Sequence, residues 1–353
     1  MRRLLRTALG GPDEPPLPAA LPGRGAGVTA EELWRPTSGC GSWCLPAATG
    51  TTVSRPRRLA RLLGVLGMLL AGVGLAALLP VLPARHRGAA LRGWARGTLR
   101  ALGVRLVVRG RTPRRPALLV ANHVSWLDIL AVLAVAPARM LAKREVRDWP
   151  VVGPLAAAAG TVFVDRARPR DLPGTVARVA AALRAGHPVA VFPEGTTWCG
   201  EVADCRPRGG FRPAMFQAAV DAGAPVVPLR LSYRYAGDPT TLAAFLGEET
   251  LWDSVRRVLA ARDLTVSVVV AAALHPAADA DRRMLARAAE SVVHLTPARP
   301  VALGRTAPVG GLLPAPVGVL PSGPGLAVPA GSVPAVPSAA GREAREVVLD
   351  RAA

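Results

Sequence analysis

Acidic residues are missing from a long part of this chain: none occurs between Glu32 and Asp128, while fifteen arginines fall in the same stretch. Across all 353 residues there are 44 basic and 24 acidic side chains, a formal net charge of +20, so most of the excess sits in about a quarter of the molecule. Lysine is nearly absent too, Lys143 being the single one, and the arginine bias therefore reflects codon composition as much as function. An uncompensated positive field still calls for an acidic partner or an anionic surface. Aromatic residues make up only 4% of the chain, and no aromatic-studded basic surface, zinc-finger spacing or recognition helix accompanies the arginines, which argues against nucleic acid as that partner. Four cysteines are too few for a disulfide scaffold, and 36 glycines and 35 prolines without a period of three exclude a collagen-like chain. Cys40 with Cys44 and Cys199 with Cys205 are spaced C-x3-C and C-x5-C, neither a usual structural zinc spacing, and the first pair falls in a proline-rich tail. Neither a metal site nor a disulfide is expected of them.

What is present is organised in blocks. Leu62 to Leu82 runs 21 residues without a charge, bracketed by Arg57, Arg58 and Arg61 before it and Arg85 and Arg87 after it. At about 1.5 Å per residue it is long enough to cross a bilayer core, and its four glycines and Pro80 make it a poor soluble helix. Arginines flank both ends, so the charge rule leaves spanning and re-entrant insertion open. Ala89 to Leu102 follows as a helix with Arg92, Arg96 and Arg100 at i, i+4 spacing and Leu91, Trp94, Ala95, Thr98 and Leu102 opposite, the pattern of an interfacial helix on anionic lipid. Residues 1–56, with eight prolines and no signal-peptide apolar region, and residues 297–353, with ten, read as disordered tails. The chain thus divides into a tail at 1–56, a membrane anchor and basic amphipathic helix at 57–103, an α/β domain at 104–296, and a second tail at 297–353.

Between residues 104 and 295 short apolar runs alternate with helical segments. Strands are predicted at 104–108, 117–121, 139–142, 161–164, 188–192, 226–233 and 264–270; helices at 127–135, 150–159, 172–185, 213–222, 251–261 and 279–293. That alternation predicts a mostly parallel sheet with helices on both faces, in which ligands collect at the carboxyl ends of the strands.

Four strand ends carry chemistry. After Leu-Leu-Val-Ala comes Asn122-His123-Val124-Ser125-Trp126-Leu127-Asp128, placing an acid five residues after a histidine. A carboxylate there can hold the imidazole tautomer and raise its basicity for proton abstraction from a substrate hydroxyl, although a cap at a helix start is the commoner use of such a pair. No G-x-S-x-G nucleophile turn is visible, which argues against a serine hydrolase. His86, His187, His275 and His294 have no comparable partner in sequence. Phe192-Pro193-Glu194-Gly195-Thr196 is a turn able to offer backbone amides to an anion. Phe163-Val164-Asp165-Arg166 ends in a cation suited to phosphate, and Pro225-Val226-Val227-Pro228 would shape a pocket wall or mark a strand edge.

In order and spacing, with His123 and Phe192 69 residues apart, these segments resemble the four sequence blocks of the glycerolipid acyltransferase family, the lysophosphatidate acyltransferases and their relatives, over residues 110–235. The resemblance implies a glycerol-3-phosphate acyltransferase-like fold and transfer of a fatty acyl group from acyl carrier protein or coenzyme A to the free hydroxyl of a lysolipid. No metal or prosthetic group is implied; the acyl thioester is a co-substrate. Carried over, it makes His123 the general base and Asp128 its orienting acid. Asn122, Ser125, Phe163, Arg166, Glu194, Gly195, Thr196 and Pro228 fall at substrate-binding positions. Arg166 is the expected lipid-phosphate contact, Glu194 holds Arg166 or the loop, and the Gly195 and Thr196 amides face the anion. The expected partners are membrane lipid, a lysophospholipid acceptor and the thioester donor, and the expected location is the cell membrane with the catalytic domain on its cytoplasmic side.

The third block of the family usually continues with an arginine, whereas this sequence has Thr197 and then a loop to Phe211-Arg212-Pro213. Arg206, Arg208 or Arg212 is left to supply that cation, or the acceptor differs. 1-Acylglycerol-3-phosphate is the expected acceptor and a lyso-ornithine lipid or another lysophospholipid the alternative; a non-catalytic membrane adaptor is the reading from another class.

Overall fold

The computed structural model describes residues 36–46, 52–113, 115–201, 205–207, 209–247, 249–295 and 347–348. Most of both expected tails lies outside these residues. Residues 36–46 are an exception: they form an ordered segment with a 3-10 turn at Ser42–Cys44, tied to the domain by the Gly39 amide donating to the Cys205 carbonyl at 3.3 Å.

The apolar run forms α1 (Arg55–Leu78), entered through Pro56 in its first turn, where a missing amide costs nothing. It stops before Pro80, and the chain turns through Pro83 into α2 (Ala84–Ala101). One side of α1 packs on protein. Buried Arg61 donates to the carbonyls of Leu259 and Ala261 at 2.9 and 2.6 Å, the Trp94 indole on α2 donates to Met68 O at 2.8 Å, and Leu75 and Ala76 pack on the cluster of Leu79, Leu91 and Leu155. The other side leaves Leu59, Leu62, Leu63, Leu66, Leu70 and Val73 exposed, a stripe at helical spacing. The arginine row of α2 does not form the free basic face expected of it. Arg92 and Arg96 are half-buried, Arg96 donates to Ala134 O at 3.0 Å, and only Arg100 of the three is exposed, because this side of α2 packs on the helix that follows the second strand.

Every predicted strand and helix of the domain is present within a few residues of its expected ends. The strands are β1 (Arg105–Arg109), β2 (Leu118–Ala121), β3 (Arg139–Lys143), β4 (Val162–Val164), β5 (Val189–Val191), β6 (Val226–Tyr235), β7 (Asp238–Pro239), β8 (Leu264–Val270) and β9 (Val347–Val348). The helices are α3 (Leu127–Val135), α4 (Val152–Ala158), α5 (Leu172–Arg184), α6 (Ala214–Ala222), α7 (Leu251–Ala260) and α8 (Arg282–Leu295). The sheet order is β4-β3-β5-β2-β6-β8-β1-β9, with β7 on β6. From β4 to β6 all pairs are parallel; β8 runs antiparallel to β6 and parallel to β1.

Strand alternation sorts the core onto two faces. Leu119 and Ala121 of β2 join Leu229, Leu231 and Tyr233 of β6 in the core under α2 and α3, while Leu118 and Val120 join Val189, Val191 and Phe216 under α5 and α6. Because β4, β3, β5 and β2 are parallel, the segments after them emerge at one edge of the sheet. His123 and Glu194 are brought into contact in this way, and Arg166 emerges at the same edge near Arg212.

Candidate active site

Asp128, in the first turn of α3, is fully buried, and its two oxygens accept four hydrogen bonds. Oδ2 takes His123 Nδ1 at 2.9 Å and the amides of Val124 and Ser125 at 2.6 and 2.8 Å; Oδ1 takes the Tyr233 hydroxyl at 2.5 Å. A buried carboxylate needs donors on both oxygens, and these four supply them. Tyr233 titrates well above the ordinary tyrosine value, because it is buried and then because Asp128 is negative beside it, so its hydroxyl stays a donor. With Nδ1–H committed to Asp128, the lone pair of His123 lies on Nε2, and the side chain retains 18% exposure. Phe192 stacks on the imidazole with ring centroids 4.0 Å apart and planes within 11°.

Glu194 holds the other side of the histidine. Its Oε2 accepts the His123 amide at 2.7 Å and its Oε1 the Trp198 indole at 3.0 Å, while the Trp198 amide donates to His123 O at 3.0 Å. Of the two tasks expected of Glu194, it performs the second: it secures the loop, not Arg166. Burial pushes its pKa up to about 8, against the pull of the His123 amide and Trp198. Against Glu194 lies His294 of α8, with Nε2 3.6 Å from Oε1, its own pKa pushed down to about 4 by burial and then by Arg206 and Arg230. An unfolded glutamate ionises near 4.5, so between that pH and about 8 the folded state holds a proton the unfolded chain has released, and stability falls as pH rises through this window. Glu194→Gln is expected to flatten that slope in thermal melts at pH 5 to 8; an unchanged slope would contradict it.

Several residues expected to touch substrate instead build the scaffold. The Asn122 amide exchanges two bonds with the backbone of Leu231, Nδ2 to O at 2.9 Å and N to Oδ1 at 2.8 Å, extending the β2–β6 ladder one step past the end of β2. Ser125 is fully buried and its Oγ accepts the Leu127 amide at 3.2 Å in the turn that leads into α3. Pro228 lies inside β6 opposite Val120, buried and short of the strand end, so it forms no wall of the site. Phe163, in edge strand β4, packs under Arg147, with the guanidinium 5.8 Å from its ring. The Gly195 amide donates to Phe192 O at 3.0 Å and therefore closes the turn instead of facing an anion; Thr196 is half-buried beside it.

Arg166 follows β4 with an open surface. Protein crowded around it lowers its pKa, Glu145 opposes that shift, and nearby Arg212 adds to it. Arg212 is anchored by its amide to Pro193 O at 3.0 Å and lies alongside Gly195. Of the described candidates, Arg212 is thus the one placed beside Arg166, while the Thr197 hydroxyl is turned inward onto Phe245 O. Arg206 goes elsewhere, its guanidinium 5.7 Å from the Trp198 ring, and Arg208 lies outside the described residues. A cavity of about 310 Å3 is walled by Asn122, Trp198, Arg206, Arg230, Tyr233 and His294; its charge makes it a poor home for a fatty acyl chain.

Sequence reading passed over Tyr233 and Trp198. One signal was available for Tyr233: in β6 the buried parity is Leu229, Leu231, Tyr233, and a hydroxyl on that parity needs a partner. The four cysteines are the clearest departure. Neither a metal site nor a disulfide is expected of them from spacing, yet all four sulfurs lie within 4.8 Å of one another, because residues 36–46 fold back over the loop after Gly195 and unite the two pairs.

The acyltransferase family model matches residues 105–232. The chain is 37% identical over 252 residues to the lyso-ornithine lipid O-acyltransferase of Pseudomonas aeruginosa, covering 69% of this chain and 94% of that protein. It is 35% identical over 203 residues to the 1-acyl-sn-glycerol-3-phosphate acyltransferase of Neisseria gonorrhoeae, covering 57% of this chain and 78% of that one. Among solved structures, the 1-acyl-sn-glycerophosphate acyltransferase PlsC of Thermotoga maritima shares the fold, with a TM-score of 0.51 at 21% identity over 68% of this chain and 95% of its own.

Proposed function

Since the chain belongs to the glycerolipid acyltransferase family and is an acyltransferase, we propose that it transfers a fatty acyl group from an acyl thioester to the free hydroxyl of 1-acylglycerol-3-phosphate, giving phosphatidate. The His123–Asp128 pair carries this reading. Nε2 takes the proton of the acceptor hydroxyl as its oxygen attacks the thioester carbonyl, and the negative charge of Asp128 stabilises the imidazolium. Collapse of the tetrahedral adduct breaks the carbon–sulfur bond, and the departing thiolate takes the proton back from Nε2. The substrate supplies the nucleophile, so coenzyme A or acyl carrier protein leaves without an acyl-enzyme. Arg166 and Arg212 hold the acceptor phosphate, and their mutual repulsion is relieved by that anion.

The proposal places the protein at the cell membrane, with its catalytic domain on the cytoplasmic side. Among the described residues α1 is the one helix long and apolar enough to cross a bilayer. Its packing on α2, α4 and the end of α7 favours an in-plane placement, with the Leu59 to Val73 stripe in lipid. Arg100 and the neighbouring arginines draw that face to anionic headgroups.

The test offers purified protein a labelled acyl thioester with lysophosphatidate and with lyso-ornithine lipid in separate reactions. Acylation of lysophosphatidate supports the assignment. Arg166→Ala and Arg212→Ala are then each expected to raise the acceptor KM by about tenfold or more, with the donor KM nearly unchanged; an effect confined to the donor would overturn the phosphate role. One observation favours the second acceptor: Thr197 stands where the family usually has an arginine, and the Pseudomonas relative acts on that lipid by name. Acylation of lyso-ornithine lipid alone would transfer the assignment, with the chemistry at His123 retained.

A further inference from the structure

We propose that Cys40, Cys44, Cys199 and Cys205 together bind one zinc ion, which fastens residues 36–46 onto the loop beside the catalytic histidine. The sulfurs come from two segments about 160 residues apart in sequence, yet all lie within 4.8 Å of one another, with Cys44 and Cys205 3.6 Å apart. A tetrahedral site with zinc–sulfur bonds of about 2.3 Å has sulfur–sulfur edges of about 3.8 Å, so the cluster needs only a small contraction. Its backbone is already arranged for ligation. The 3-10 turn at Ser42–Cys44 returns Cys44 beside Cys40, the Cys199 amide donates to Cys40 Sγ at 3.0 Å, and the Gly39 amide joins the two segments through Cys205 O. Amide donors to sulfur are the outer partners that steady thiolate ligands.

Cys199 and Cys205 are buried and the other two half-buried. Four sulfur donors converging from two segments form a complete ligand set for one ion, and a divalent cation binds such thiols by deprotonating them. Four sulfur donors in a tetrahedron suit zinc or iron, and zinc is the choice for a site with no electron to move. The site then has a structural task. Cys199 follows Trp198, whose amide and indole hold His123 and Glu194. Pro36 lies so close to Gly195 that a Cβ there would come within 2.8 Å of its ring, and the φ of +76° at Gly195 also favours glycine.

The experiment uses the full chain, purified in detergent under reducing conditions without added metal, and reads metal content, independent of any acyl acceptor. About one zinc per chain is expected by mass spectrometry of the metal, with four thiols titrating after denaturation and chelation. Cys40→Ser and Cys44→Ser are each expected to lose most of it. Release of zinc by a mercurial should expose residues 36–46 to limited proteolysis. Wild-type protein with four thiols and no zinc, iron in its place, or an intact mass lower by about 2 or 4 Da from disulfides would each overturn the proposal. The wild-type measurement requires no variant, so a variant that fails to fold does not remove the test.

Discussion

His123→Ala is expected to lower turnover by about 10³-fold or more while the protein folds and sediments with vesicles as the wild type does. The size of the loss comes from the number of tasks the proposed mechanism puts on one ring, with Nε2 as base toward the hydroxyl and acid toward the departing thiolate. The survival of the fold comes from the way the residue is held. The backbone bonds to Glu194 and Trp198 persist in alanine, and the ring is partly exposed, so its removal opens no closed core cavity. The base and the apolar stripe of α1 lie in separate segments. Single-turnover assays with labelled thioester, paired with flotation on vesicles, read both halves; retained activity would end the assignment of His123 as base.

Asp128→Asn is expected to fail in a different way, with turnover down by about 10³- to 10⁴-fold and stability down by about 3 kcal/mol. An asparagine keeps the shape but turns one acceptor oxygen into a donor. Three donors converge on Oδ2 and the Tyr233 hydroxyl on Oδ1. With the asparagine oxygen on the backbone amides, the Tyr233 hydroxyl must turn to accept from the new N–H and its charge-assisted bond is lost; the reverse orientation strands Val124, Ser125 and His123. The imidazole is then free to take its other tautomer, with the proton on Nε2 where the lone pair is needed. Tyr233→Phe in the wild-type background separates the effects: it takes one donor from Oδ1 and leaves the carboxylate on Nδ1, so it should lower stability with turnover nearly unchanged. An Asp128→Asn variant with wild-type melting and wild-type rate would show that the carboxylate neither orients nor stabilises.

Much of this was legible in the sequence, for a reason specific to parallel sheets. Each strand is a short apolar run, the groups that do chemistry follow it at once, and the parallel register places all those ends at one edge. His123, Asp128, Glu194 and Arg166 could be read as one site before any strand was paired. Contacts between groups far apart in sequence were not legible. Tyr233 reaches Asp128 across 105 residues, and Cys40 meets Cys199 across 159. Neither has a local spacing to betray it. Asn122, Ser125 and Pro228 fall at substrate-binding positions by resemblance alone, which carries no information on side-chain direction, whereas in the fold all three are buried. Arg96 was placed on lipid by its helical spacing, which reports a face but not what covers it.

The pair of bonds between the Asn122 side chain and Leu231 has a consequence for the latitude of that position. An aspartate would set a second oxygen against the Leu231 carbonyl, glutamine would overreach by a methylene, and serine or alanine would leave one or both backbone groups unpaired. Asparagine is thus the one side chain that imitates a further residue of strand, hydrogen-bonding as a backbone would while its own chain departs toward His123. His123 is thereby released from the sheet at the point where the sheet is still closed behind it.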